Sequence, residues 1–267
     1  MVIGLAKNLV SSGKRGHCKD TFCRFACVLA ALLTAGGCTS RTPTIAHTHI
    51  GHAMTGWRHT PDQAGLFVVA EDSAQEAIQA AEDATQPGKN FNSIKQDVTR
   101  IIRSTNPEDD PTGAKKDELT HGVKPALVEA VSHIQYAADS ADASANVKSS
   151  TVQFSQNAIA VLDRCDLISA LGIDIVQSTS MEDVTILSGE LLRLTRENFY
   201  GADSDGDGII GSTPDEFGLV QLRAELQAMM DREDPPYTTV GRWYLLNLVR
   251  LPTGEWIFRE WTEEDEY

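Results

Sequence analysis

Residues 146–171, NVKSSTVQFSQNAIAVLDRCDLISAL, decide the fold. Val147, Thr151, Phe154, Ala158, Val161, Cys165 and Ile168 recur at alternating spacings of four and three. In a helix of 3.6 residues per turn, such positions form one narrow stripe. A stripe sustained over seven positions reads as the seam of an antiparallel bundle. Cys165 lies on this seam, so it reads as a core thiol rather than a reactive one.

Working outward, the same period recurs. Residues 181–200 place Val184, Leu187, Leu191 and Leu194 on one face, and about 124–143 does so with Val123, Leu127, Ala130, Ile134, Ala137 and Ala141. About 92–104 presents Ile94, Val98, Ile101 and Ile102. A longer helix to about Thr85 turns in Leu66, Ala70, Ser73, Ala77, Ala80 and Ala84, small residues that let helices approach closely. Thr60-Pro61-Asp62-Gln63 and Thr213-Pro214-Asp215-Glu216 both look like helix starts, with Thr as cap, Pro in the first turn and an acid or amide closing a capping box. The second leads into the stripe Leu219, Leu222, Leu226, Met229. Residues 105–114 are loop by composition. The end changes character: 243–251 and 255–261 are rich in aromatic and β-branched residues around Pro252-Thr-Gly254, which predicts a hairpin. The expected fold is therefore mainly α. It is an antiparallel helical bundle (60–175), a helix-loop-helix unit (179–236) and a short C-terminal β-hairpin (240–262), with a tether and His-rich segment over 39–59.

The N-terminus reads as an address. Lys7, Lys14, Arg15, Lys19 and Arg24 precede an apolar run from Phe25 to Ala35, which is shorter than the roughly 20 apolar residues of a membrane span. Ala35-Gly36-Gly37-Cys38 closes it. This resembles the lipobox of bacterial lipoproteins. The resemblance implies a signal peptide over 1–38, lipid (palmitate) attachment at Cys38, and a membrane-tethered chain facing the periplasm. With Thr39 rather than Asp after the cysteine, it implies the outer membrane. Cys18, Cys23 and Cys27 fall inside the signal, so the mature chain keeps Cys165 alone and forms no internal disulfide. The whole chain carries a net charge of −15, and removing five cations and one acid with residues 1–37 takes it to −19. So acidic a surface repels nucleic acid and attracts cations.

Asp203-Ser-Asp205-Gly-Asp207-Gly208-Ile209-Ile210 is the strongest chemical signal. Alternating carboxylates let a curling chain point several oxygens at one ion, and Gly208 sits where the turn is sharp. The stretch resembles the first half of an EF-hand loop. The resemblance implies Ca2+, with Asp203, Asp205, Asp207 and the carbonyl of Ile209 as ligands, and Ile210 packed between the flanking helices. The twelfth position is Pro214 instead of the closing Glu. Either a longer loop brings in Glu216, or water completes the shell. Without a partner loop, a structural role is expected rather than a switch.

A second metal site is read at His47, His49, His52 and His133, with Met54 at hand for copper; imidazole suits copper or zinc. His59 and His121 are further candidates, and capping or surface roles are the alternative for all of them. No nucleophile elbow, phosphate loop, dinucleotide fingerprint, zinc-protease motif or haem-attachment motif occurs. The expected function is a non-enzymatic, calcium-stabilised envelope lipoprotein with a membrane and an envelope protein as partners. The alternative is a periplasmic copper or zinc binder.

Overall fold

The computed structural model describes residues 44–113, 121–234 and 237, together with the backbone of 242–243, 248–250 and 256–258. Residues 1–38, read as a signal peptide ending at Cys38, lie outside the described residues. What is described is mainly helical. The helices are α1 (Ile45–Met54), α2 (Leu66–Ala84), α3 (Phe91–Thr105), α4 (Val123–Asp139), α5 (Ala145–Gln177), α6 (Met181–Tyr200) and α7 (Leu219–Asp231), packed on one another.

Capping side chains fix several of the starts. Asn90 accepts from Ser93 N at 3.0 Å, Ser144 from Val147 N at 3.0 Å and Ser180 from Asp183 N at 3.2 Å. Glu182 and Asp183 add negative charge to the first turn of α6, where the helix dipole favours it. Gly201, at φ 85°, ends that helix.

The seam read from α5 is buried throughout, from Val147 to Ile168. At 33 residues, α5 spans two apolar clusters. The first gathers Phe67, Leu127, Ile134, Phe154, Leu222 and Leu226, among others, from α1, α2, α4, α5 and α7. The second gathers Ala80, Ile94, Ile101, Ile102, Ile175 and Leu191 from α2, α3, α5 and α6. Each fully buried Leu, Ile or Phe contributes roughly 1.5–3 kcal/mol of transfer free energy.

Several expectations need correction. Residues 45–54, read as part of a tether, form α1, whose Ala46, Ile50, Ala53 and Met54 are buried. Thr60 does not cap a helix. Its hydroxyl donates to the carbonyls of Trp57 and Ala64, and Pro61–Gln63 make one 3-10 turn with Asp62 and Gln63 at positive φ. Helix α2 starts only after Gly65, where the chain crosses α1 so closely that a Cβ would sit 2.5 Å from Met54 C. Helix α4 ends at Asp139 rather than near 143, and α5 continues past Leu171 to Gln177. Pro214–Glu216 form a single 3-10 turn, and α7 begins after Gly218. The hairpin expected over 240–262 is not supported. Most of that stretch, its turn included, lies outside the described residues. What is described there is backbone pairing of three short segments, β1 (Arg242–Trp243), β2 (Leu248–Arg250) and β3 (Trp256–Phe258).

Candidate metal centres

Helix α1 lies along α4. Its apolar face enters the first cluster, and His49 and His52, one turn apart, come out at the rim beside His133 of α4. His49 Nδ1 and His133 Nδ1 are 3.1 Å apart. One ring nitrogen from each of the three histidines lies within 4.8 Å of the others. The Nδ1 of His52 is buried and has no hydrogen-bond partner among the described residues. Aromatic rings wall the group. Trp57 stands 4.2 Å from the His52 ring and 4.8 Å from that of His133, centre to centre, and Tyr136 stands 5.5 Å from His49 and 5.9 Å from His133. Trp57 Nε1 donates to Glu129 Oε1 at 3.0 Å.

The electrostatics keep these rings neutral. Burial, then the charges of His133, His49 and Arg58, push His52 down to about 4. Burial lowers His49 against the pull of Asp142, and burial followed by His49 lowers His133 against the pull of Glu129. Each ring therefore keeps an unprotonated nitrogen at neutral pH, as ligation requires. A tetrahedral ion with Zn–N bonds of about 2.0–2.1 Å sets its nitrogens about 3.3 Å apart. The His49–His133 separation is close to that edge.

The other described histidines do not join them. His47, expected in the site, points the opposite way into the protein, where Nε2 lies 3.0 Å from Glu233 Oε2 and the ring faces Tyr237. His59 accepts from Arg58 Nε at 2.8 Å, and His121 Nε2 meets the carbonyl of His59. The sulfur of Met54 lies against Arg223 rather than the imidazoles. Tyr136 and the role of Trp57 were not foreseen. Tyr136 follows His133 by three residues on one helix face, a signal that was available.

The acidic loop joins α6 to α7. Asp203 accepts from Gly206 N at 2.8 Å and Gly208 N at 3.0 Å, Asp205 from Asp207 N at 3.0 Å, and Asp207 from Ile209 N at 2.7 Å. Oxygens of Asp203, Asp205 and Glu216 converge within 4.8 Å, and Asp207 is not in that group. Glu216 is fully buried. Its carboxylate accepts from Ser204 N, Gly211 N and Ser212 N at 3.1, 3.0 and 2.8 Å, and from the Ser212 hydroxyl. Burial pushes this carboxyl up, and the Ser212 and Thr213 donors more than reverse it, leaving it below the usual carboxylate range. Ile210, expected between the helices, is 45% exposed. The loop is held from outside by Arg164, whose guanidinium donates to the carbonyls of Asp215 and Phe217. At its neck Gly218 is so close to Gly201 that a Cβ would lie 2.3 Å from Gly201 N.

Cys165 is buried, accepts from Asn198 Nδ2 at 3.3 Å, and has its thiol pushed up to about 12 by burial. That is the packing thiol expected. No helix among the described residues is long and apolar enough to cross a membrane. Compared with protein-family models, curated proteins and solved structures, the chain matches none.

Proposed function

We propose that this protein is a membrane-tethered, non-enzymatic transition-metal binder of the cell envelope, holding a zinc or copper ion with His49, His52 and His133. One observation carries the reading: three neutral imidazoles converge, and one of them presents a buried nitrogen with no partner among the described residues. An unpaired buried polar atom costs about 1–3 kcal/mol, which a ligated ion would recover. An all-imidazole set favours zinc or copper over calcium or magnesium. The test is isothermal titration of the metal-stripped protein with Zn2+ and with copper, alongside His52→Ala. One equivalent should bind, and the variant should lose it. No binding by the wild type, or equal binding by the variant, refutes the site.

A second, independent reading is favoured by the geometry of the acidic loop. The Asp203-to-Gly208 amide bond and the convergence of Asp203, Asp205 and Glu216 suit a calcium staple closed by Glu216 rather than by a residue at the twelfth position. Calcium should raise the melting temperature, and Asp205→Ala should abolish the rise. The tether is proposed from Cys38: radiolabelled palmitate should enter the wild type and not Cys38→Ser. The charge of the mature chain fits cation capture and disfavours nucleic acid as a partner. An envelope protein would be the remaining partner.

A further inference from the structure

Among the described residues, no carboxylate or thiol joins the three nitrogens of His49, His52 and His133. Four side chains that could have supplied a further ligand are held elsewhere. Asp142 accepts from Ile45 N at 2.7 Å and Ala46 N at 3.2 Å, at the start of α1. Glu129 is turned to the indole of Trp57, His47 to Glu233, and Met54 to Arg223. The Trp57 ring lies beside two of these imidazoles, its centre 4.2 Å from that of His52 and 4.8 Å from that of His133, tilted by 45° and 67°.

Zinc is almost always four-coordinate and would need a water here. A monovalent ion with a filled d shell is content with three ligands. An aromatic face within about 6 Å attracts a cation, most strongly when the ring is Trp. Hydrogen bonding of Nε1–H to the Glu129 carboxylate pushes electron density into the indole, which strengthens that attraction. Resting on the metal-binding reading, we propose that the resident ion is monovalent copper, bound trigonally by His49, His52 and His133, with the face of Trp57 closing the side where zinc would carry water. Trp57 is then a specificity residue: it favours an ion that needs no fourth donor and keeps water off it.

The test is an anaerobic competition of the metal-stripped full-length protein, in detergent, against a chromophoric Cu(I) chelator and, separately, against a fluorescent Zn2+ chelator. Wild type, Trp57→Phe and Trp57→Leu are compared, with circular dichroism to verify folding. Wild type should hold one Cu(I). Trp57→Leu should weaken Cu(I) by about tenfold, the scale of a desolvated cation–ring contact, and leave Zn2+ unchanged or tighter. Trp57→Phe, which keeps a ring but loses the Glu129 bond, should fall between. X-ray absorption of the copper form should show three nitrogen neighbours and no added oxygen. Zinc binding without Cu(I) binding, or Cu(I) affinity unmoved by Trp57→Leu, overturns this inference and leaves the metal site standing. Failure to bind either ion removes both.

Discussion

Acidifying the metal-free protein should destabilise it through the histidine cluster, in a window set by His52. The folded-state value of about 4 lies below the ordinary 6.5, so the unfolded chain takes up this proton first. The stabilising contribution is complete above pH 6.5 and is lost as pH falls from there toward 4. Between about pH 7.5 and about pH 4.5 the linkage comes to about 2.5 kcal/mol at 1.36 kcal/mol per unit. The ring is partly open to solvent, so screening reduces this to about 1–2 kcal/mol. For a chain of this size that is a fall of about 2–8 °C in melting temperature. His49 and His133, both lowered, act in the same direction.

Other groups must be separated from this effect. Glu233, Glu216 and Asp215 are lowered carboxylates whose stabilisation fades as pH falls through their ordinary values, at the acid end of this window. Glu225, raised by burial, works the other way and gains stability on acidification. The assay is therefore a difference: thermal unfolding by circular dichroism of wild type and His52→Gln at both pH values, with chelator present. The wild type should lose about 2–8 °C more than the variant. Equal losses would show that His52 carries no depressed titration and would remove the argument that the cluster is poised to ligate.

Three further outcomes are expected. Arg164→Met strips the Asp215 and Phe217 carbonyls of their donor, at about 1–3 kcal/mol for each group left buried; chemical denaturation should show the loss, and calcium affinity should fall with it. Gly218→Ala forces a methyl group into the Gly201 backbone and should cost about 3 kcal/mol or more, read by the same denaturation and not rescued by calcium. Cys165 should resist aromatic disulfide reagents at about pH 8 in the folded protein and react once denatured, because burial disfavours its thiolate.

The helical bundle was legible where sequence period and end signals agreed. Helix α6 has both, with Ser180 capping it and Gly201 stopping it, and its bounds match the expectation. Helix α5 showed its seam but not its end: the expected helix stops at Leu171, and the next residue, Gly172, is a weak helix former. In the fold it is a contact surface, with Ile102 Cγ1 only 2.7 Å from where a Cβ would be. Helix α1 was missed although its signal was present. Thr44 caps it, and Ala46, Ile50, Ala53 and Met54 follow a helical period, but the histidines between them made the segment look like tether. Reading α1 as a helix would have sorted the histidines too. At about 100° per residue, 49 and 52 share a face while 47 lies opposite. His133 follows His52 by 81 residues and needed the α1–α4 packing to bring it in.

The two candidate sites differ in what an ion would gain. In the acidic loop the chain already answers its own charges: Asp203 has two amide donors, and Glu216 has three close amides and a hydroxyl. Calcium there would add rigidity to a loop whose carboxylates already have amide partners, which is what a staple does. The histidine group is not self-sufficient. Two Nδ1 atoms face each other across 3.1 Å, so one must donate to the other, and the Nδ1 of His52 is left with nothing. Three imidazoles pressed together also oppose their own protonation, so protons cannot relieve the group near neutral pH. A d-block cation satisfies all three lone pairs at once. The arrangement that is costly without an ion is the one that would gain most from holding one, which is why the proposed function is put at the junction of α1 and α4.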